Sequence, residues 1–484
     1  MSPTFRSLRN VNYRLWASGA IVSNVGTWMQ RVAQDWLVLA VLTPNSGVAL
    51  GVTTGLQFAP VLLLAPVAGA AADRWNRRRL LMATQASSGL LALVLGLLVV
   101  TREAQLWQVY LLAGLLGVVA AFDAPARQAF VTELVPAEDL SNAVGLNSAS
   151  FHAGRLIGPG IAGLLIHWFG TGPVFLLNAA SFGAVLLSLA RMDPARLCPV
   201  ARTARRGGIR EGLRYVGGRP DLMLVMSIVG MVGTFGLNFQ LSTALMARLV
   251  FHRGSGEYGL LGSTLAVGSL AGSLLGARRE NPRIQLVVGA TFAFAVLASV
   301  AAVMPGYPLF ALALIPVGVC TQTLLTAANS TVQLSTAPEL RGRVMALYMA
   351  VLMGGTPVGA PLVGWIGQTF GARWTILLGA AAAGLTAVLA WLWLARHPSP
   401  PAAGQPGPQL SVQPGGVAEQ LVADEGDGVQ QGVRDDQRHH PAAAAEPLAE
   451  GEAHHGVAQE GPESLVEVVA AAQDGADPEG EPGR

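Results

Sequence analysis

Lysine is absent from all 484 residues, so every fixed positive charge on a side chain is an arginine. That absence removes the Gly-x-x-x-x-Gly-Lys-Ser/Thr loop of nucleotide-driven pumps, which needs its lysine on the β/γ-phosphates. Cysteine is nearly absent too. Cys198 falls in a polar stretch and Cys320 in an apolar one, so neither a disulfide framework nor a thiolate metal site is expected. Charged residues make up 12% of the chain and apolar residues 52%, whereas soluble domains run at about a quarter charged. This excludes an ordinary soluble enzyme. No catalytic constellation, cofactor motif or metal-ligand cluster emerges, and no nucleic-acid partner is expected.

The few charges are unevenly spread. From Ser399 onward lie sixteen of the 29 acidic residues and three of the 31 basic ones, so residues 1–398 carry +15 and the remainder −13. That remainder is rich in Pro, Gly, Ala and acids and has no aromatic residue, Ile, Met, Asn or Thr. Such composition cannot bury enough apolar surface to offset the entropy of ordering, so 399–484 is expected to be a disordered acidic tail. Its two isolated histidine pairs, His439-His440 and His454-His455, make a poor metal site.

Long apolar runs fill the rest. A helix needs about 20 apolar residues to cross the hydrocarbon core. Twelve runs qualify, at roughly 14–42, 49–71, 79–100, 106–128, 141–167, 172–191, 222–247, 257–278, 284–304, 307–330, 342–368 and 373–396. The first is too long for a signal-peptide core and reads as a retained span. Arginines sort by side. If the N-terminus is cytoplasmic, 22 of them fall in cytoplasmic segments and only Arg102, Arg248, Arg253 and Arg373 opposite. That is the positive-inside pattern, with both termini cytoplasmic.

The polar loop at 192–221 divides the spans six and six. Residues 136–170 resemble 337–371 at an offset of 201, which aligns Gly154 with Gly355, Gly158 with Gly359, Gly163 with Gly364 and Gly170 with Gly371. The expectation is an all-α integral membrane protein: twelve transmembrane helices in two pseudo-symmetric six-helix bundles. These are residues 1–191 and 222–398, with a site near the midplane between them.

Between spans two and three stand Gly69, Asp73, Arg74, Arg77, Arg78 and Arg79. A basic topogenic loop would explain the arginines but not Gly69 and Asp73. The pattern resembles the Gly-x-x-x-Asp-Arg-x-x-Arg-Arg loop of the major facilitator superfamily, with Asn76 where the family often has Gly. The resemblance implies a conformational latch. Asp73 would face the N-terminal end of span eleven, where the helix dipole favours an anion. The arginines would pair with an acid at the end of span four, for which Asp123 is the candidate. In span five, Gly145, Gly154, Gly158, Pro159, Ala162 and Gly163 resemble the antiporter motif of drug-exporting facilitators, which has Gly-Gly at its last pair. The implied role is a tight interhelical seal against uncoupled leak; ordinary small-residue packing is the alternative.

Residues 5–396 carry the resemblance. Phe5 to Asn10, Tyr13 to Leu15, Gly26 to Leu37 and Phe122 to Phe130 are similar to the branch containing enterobactin exporters and macrolide-efflux-like proteins.

Ionisable residues at mid-membrane cost about 2.5–3.5 kcal/mol each on insertion scales and so point to function. Arg31 and Asp35 lie four apart on span one, on a face continued by Asn24 and Trp28 and broadened by Thr27, Gln30 and Gln34. Asp35 is the candidate proton carrier, with Arg31 beside it; a static Arg31–Asp35 ion pair is the competing reading. Arg155 and His152 lie on span five. Arg155 could bind an anionic cargo or balance Asp35, whereas His152 could be a packed, hydrogen-bonded histidine. Asn238 on span seven and Gln322 and Asn329 on span ten are further candidate cavity liners.

The reading is a monomeric secondary transporter of a bacterial inner membrane that exports drug-like or siderophore-like small molecules by proton antiport. It needs no cofactor. The alternatives are a proton-coupled uptake symporter on the same fold, or a membrane scaffold or sensor that transports nothing.

Overall fold

The computed structural model describes residues 3–198, 209–277 and 283–397. Part of the central loop and the whole acidic segment 399–484 lie outside the described residues. Every regular element among the described residues is a helix. The first half holds α1 (Val11–Trp36), α2 (Gly47–Arg74), α3 (Arg77–Val100), α4 (Leu106–Leu134), α5 (Leu140–Phe169) and α6 (Thr171–Ala190). A short α7 (Ile209–Gly217) leads into α8 (Pro220–Met231) and α9 (Phe239–Leu245). Then come α10 (Ser255–Ala277), α11 (Ile284–Ala302), α12 (Tyr307–Ser335), α13 (Arg341–Gly354), α14 (Thr356–Thr369) and α15 (Ala372–Arg396).

Local chemistry sets the helix starts. The side chains of Asn10, Ser46 and Asn76 each accept a backbone N–H from the first turn of α1, α2 and α3, satisfying donors that a helix N-terminus leaves open. Asn76 therefore stands in the signature loop as a cap, with φ at −66°, and not as a substitute for a left-handed glycine. The run from Phe5 to Asn10 is fastened to the start of α5: Arg6 pairs with Asp139 and Ser7 Oγ donates to Asn142 at 2.8 Å.

Two expected spans are broken. Span seven consists of α8, a π-turn at Val232–Gly236, α9 and a second π-turn at Met246–Val250. Span eleven breaks between α13 and α14 at Gly354-Gly355-Thr356-Pro357, where two glycines and a proline remove both stiffness and a donor. Span one likewise ends in a π-turn, Leu37–Leu42. The internal repeat appears in the backbone as well. Gly170 at φ +78° precedes α6 and Gly371 at φ +102° precedes α15, both in the left-handed region that glycine enters without a Cβ clash.

Ten helical segments are long and apolar enough to cross a bilayer. Spans one and five are of similar length but too polar to be counted by hydropathy. Large apolar side chains such as Leu63, Leu312 and Trp391 stay more than half exposed. Exposure on that scale suits lipid and not water.

Helices α1–α6 pack on one another, as do α8–α15, and the halves meet chiefly through α2 on α14 and α5 on α10. Small residues permit that approach. A Cβ on Gly55 would lie 2.9 Å from Pro357 O, and one on Gly163 2.7 Å from Ser255 O. The apolar core runs continuously from one half into the other around Val38, Leu50, Leu245 and Leu261. At the end bearing Arg74–Arg79, a separate core around Trp16, Leu81, Phe130 and Val185 belongs to the first half alone. Among the described residues the apolar core thus joins the halves at the arginine-poor end and is split between them at the arginine-rich one.

Candidate functional site

A cavity of about 740 Å³ lies within the first six helices. Its walls include Asn24, Gln30, Arg31 and Gln34 of α1, Gln57 and Phe58 of α2, Gln85 and Ser88 of α3, and Asp123 and Arg127 of α4. Asn147, Phe151 and His152 of α5 and Asn178 of α6 complete the polar lining. That volume is suited to a drug-sized guest. Of the α1 stripe, Asn24, Thr27, Gln30, Arg31 and Gln34 face this chamber, as their cost in lipid requires, whereas Trp28, Asp35 and the α5 candidate Arg155 stand outside its lining.

Neighbouring helices hold the stripe in place. Asn24 Nδ2 donates to Ser150 Oγ at 3.0 Å, and Gln30 Oε1 accepts from Asn178 Nδ2 at 2.5 Å. Gly154 and Gly158 let α5 lie directly on α1: a Cβ at either would meet Asn24 or Trp28 at 2.9 or 2.7 Å. Gly163 and Pro159 face the other way, onto Gly256 and Gly259 of α10. Ser263 of α10 donates to Leu156 O at 2.7 Å. The glycines of span five thus serve two interfaces, whereas a Cβ on Gly145 would meet nothing within 4 Å.

Arg31 and Arg155 converge on one side chain. Their guanidinium carbons stand 5.0 and 5.6 Å from the ring centre of Trp28, and Arg31 is also 5.8 Å from that of Phe58. Trp28 in turn packs edge-on to Phe151. Among the described residues neither guanidinium has a hydrogen bond or a carboxylate within 4.0 Å; Arg31 and Asp35 make no direct contact pair and act on each other only at longer range. Asp35 is instead almost buried and accepts from Tyr258 Oη of α10 at 2.8 Å, a bond between the two halves. Tyr258 stacks on Trp36, and Arg248 lies over the same indole. Arg248 Nε donates to Asn45 Oδ1 and Ser46 Oγ to Gln368 Oε1, both at 3.0 Å. These contacts make a polar clasp across the arginine-poor end.

The latch residues are arranged differently from expectation. Arg77 pairs with Glu133 at 2.7 Å, not with Asp123, because Glu133 lies in the last turn of α4 and Asp123 three turns deeper. Asp123 accepts from Thr84 Oγ1 at 2.8 Å and Gln85 Nε2 at 2.7 Å, and pairs with Arg127 at 2.9 Å. Arg78 donates to Leu189 O and Ala190 O, closing the end of α6. Asp73 is exposed without an ion pair or hydrogen bond among the described residues, and a Cβ on Gly69 would touch nothing within 4 Å.

In the second half, the candidate liners bond within their own helices and do not line this cavity. Asn238 Nδ2 donates to Thr234 O, Gln322 Nε2 to Thr326 Oγ1, and Asn329 Oδ1 accepts from Gln333 Nε2. Sequence reasoning missed Tyr258, Gln57, Gln85, Asn178 and Glu133. Each stands one to a helix, far along the chain from its partner, so no periodic signal marks it.

Residues 2–427 match the family described as transmembrane secretion effector. The multidrug efflux pump Tap of Mycolicibacterium fortuitum is 29% identical over 372 residues, covering 74% of this chain and 90% of that protein. A staphyloferrin A transporter of Staphylococcus aureus is 33% identical over 174 residues, 36% of this chain and 43% of that one. Macrolide efflux protein A of Streptococcus pyogenes is 22% identical, covering 76% and 92%. Among solved structures, a bacterial homologue of the human lysosomal transporter Spinster superposes with a TM-score of 0.64 at 17% identity, covering 83% of this chain and all of that one. A D-xylose–proton symporter superposes at 0.60 and 12% identity, covering 79% and 97%. Polar cavity, paired helical halves, signature loop and family match agree: this chain is a multi-pass membrane transport protein of the major facilitator superfamily and belongs to its transmembrane secretion effector family.

Proposed function

We propose that this protein exports small molecules across the inner membrane of a bacterium in exchange for protons, by alternating access. The arginine-rich end and both termini are cytoplasmic, on the positive-inside rule. Residues 1–191 and 222–398 rock as two bundles joined by the 192–221 loop, in a monomer. The state described above then faces inward. The naming of relatives as efflux proteins, two of them matched over most of their length, supports outward transport.

One observation carries the coupling: Asp35, beside the cavity, accepts a hydrogen bond from Tyr258 of the opposite half. A hydrogen bond to a carboxylate is roughly twice as strong as one between neutral groups. Ionised Asp35 therefore holds the outer clasp shut in the empty carrier, and either a proton on Asp35 or a bound cargo, one in place of the other, releases it to reorient. Arg31, one turn below, supplies the neighbouring positive charge. The driving force suffices, since one charge crossing 100 mV is worth about 2.3 kcal/mol.

The α5 glycines and Pro159 seal α1 and α10 against leak. The remaining signature residues, Gly69, Asp73 and Arg74, act when the cytoplasmic ends close; Arg77, Arg78 and Glu133 brace α3 in either state.

The test uses proteoliposomes under an imposed pH gradient, with a panel of drug-sized cargos that includes an anion, fluorescein, as well as a macrolide and ethidium. Asp35→Asn should retain cargo binding and lose gradient-driven exchange, and Tyr258→Phe should slow it. Unaltered proton coupling in Asp35→Asn removes Asp35 from this role. Cargo movement in the same direction as the proton favours symport.

A further inference from the structure

We propose that the cargo recognised by this cavity is an organic anion: a drug-sized molecule carrying a carboxylate or equivalent acidic group on an aromatic frame. The proposal rests on the export reading for the word cargo, but its physical basis is separate. Three donors stand at the α1–α5 wall with no acceptor. Arg31 and Arg155 lie on the same indole without a carboxylate or carbonyl partner among the described residues. Gln34, only 2% exposed and lining the same cavity, has a buried Nε2 with no hydrogen-bond partner.

Gln34 Nε2 is buried and unpaired, which costs about 1–3 kcal/mol; Arg31 and Arg155 are half-buried and open to a partner. Two like charges against one ring add mutual repulsion. Arg127, which lines the cavity with Arg31, does not share this condition, since it is paired with Asp123; Arg155 reaches the same place through Trp28. The excess positive charge is therefore local to Arg31 and Arg155, with Asp35 acting on Arg31 only from one turn away.

An anion placed between them resolves all three deficits at once. Guanidinium groups bind carboxylates through paired N–H donors in fixed geometry, and Gln34 is part of the same chamber's lining. Phe58 and Phe151 offer the apolar frame a surface beside Trp28. A cation has no equivalent place: the nearest acid, Asp35, is turned toward Tyr258. With such a cargo, exchange for protons runs through the Asp35–Tyr258 clasp and not through competition at the arginines.

Three xanthene dyes of similar size probe this directly: fluorescein as anion, its neutral methyl ether ester, and rhodamine 6G as cation. Binding to the full-length protein in nanodiscs is read by fluorescence polarisation, with no gradient present. Fluorescein should bind at least tenfold more tightly than the other two. Arg31→Gln and Arg155→Gln should each weaken it about tenfold or more, with rhodamine 6G unchanged or improved. Arg31→Lys and Arg155→Lys, which keep the charge and resemble the parent in size, should retain part of the affinity. They also serve should a Gln variant fail to fold. Fluorescein bound no better than rhodamine 6G, or bound equally by parent and folded arginine variants, overturns the proposal. Anion-selective binding without efflux from vesicles defeats the export reading and leaves the site; efflux without anion preference does the reverse.

Discussion

Alternating access predicts that single methyl groups shift the carrier in opposite directions according to which interface they enter. Gly51 of α2 faces α14 at the joined end. A Cβ there would lie 2.9 Å from Pro361 Cα and 3.0 Å from Ala360 C, with Ala360 O nearer still. Ordinary carbon contacts fall at about 3.5–4.0 Å, and these atoms are backbone, which cannot swing aside. Overpacking of this kind costs about 1–3 kcal/mol, so Gly51→Ala should lower the population closed at the arginine-poor end by about 5–150-fold relative to the open one. Gly69→Ala should act the other way. Nothing lies within 4 Å of its Cβ in this state, so its cost falls on the state in which the arginine-rich ends meet. Cysteines at Ser46 and Gln368, whose side chains now touch, report closure through the rate of bifunctional cross-linking, in a background with Cys198 and Cys320 replaced by Ser. Gly114→Ala, equally uncrowded but outside the signature loop, is the control. Cross-linking unaltered by Gly51→Ala, or lowered by Gly69→Ala, refutes the two-state reasoning.

Breaking the Arg77–Glu133 pair by Glu133→Ala should cost about 1.5–3 kcal/mol in denaturant melts, as for a hydrogen bond to a charged group, and Glu133→Gln should cost less. Asp123→Ala strands Arg127 beside the cavity and should cost about 3 kcal/mol. Adding Arg127→Met should recover most of that loss, and a double-mutant cycle with no coupling energy would contradict the pairing. Arg78→Ala leaves two carbonyls at the end of α6 without their donor. It should speed hydrogen exchange there and leave transport direction intact.

Much of this fold was legible because hydropathy and arginine placement act over whole spans. The repeat offset of 201 was legible because Gly170 and Gly371 answer the same backbone demand. The breaks at 232–236 and 354–357 were not, because glycine and proline are common inside membrane helices and neighbours decide whether they bend or break. At the site, the α1 stripe was visible through its spacing. Its partners were not: Tyr258 reaches Asp35 across 223 residues. Asp123 went astray because chain distance from Arg77 does not reveal depth, and α4 runs well past it to Glu133.

The two spans that hydropathy passes over are the two that matter most to this mechanism. Spans one and five hold Arg31, Asp35 and Arg155, whose insertion costs of about 2.5–3.5 kcal/mol each together rival the entire stability of many domains. Packing does not require them, since Arg31 and Arg155 bond to nothing that Leu or Met could not adjoin. If they are kept for transport, removing all three should make a better membrane protein and a dead carrier. The variant Arg31→Met, Asp35→Leu, Arg155→Met should resist denaturant as well as the parent or exceed it by about 1–4 kcal/mol, as when buried charges are exchanged for packed apolar groups. It should also abolish efflux in everted vesicles. A triple variant that unfolds more readily than the parent would make these charges part of the scaffold, and the cavity's chemistry would have to be sought among Gln57, Gln85 and Asn178 instead.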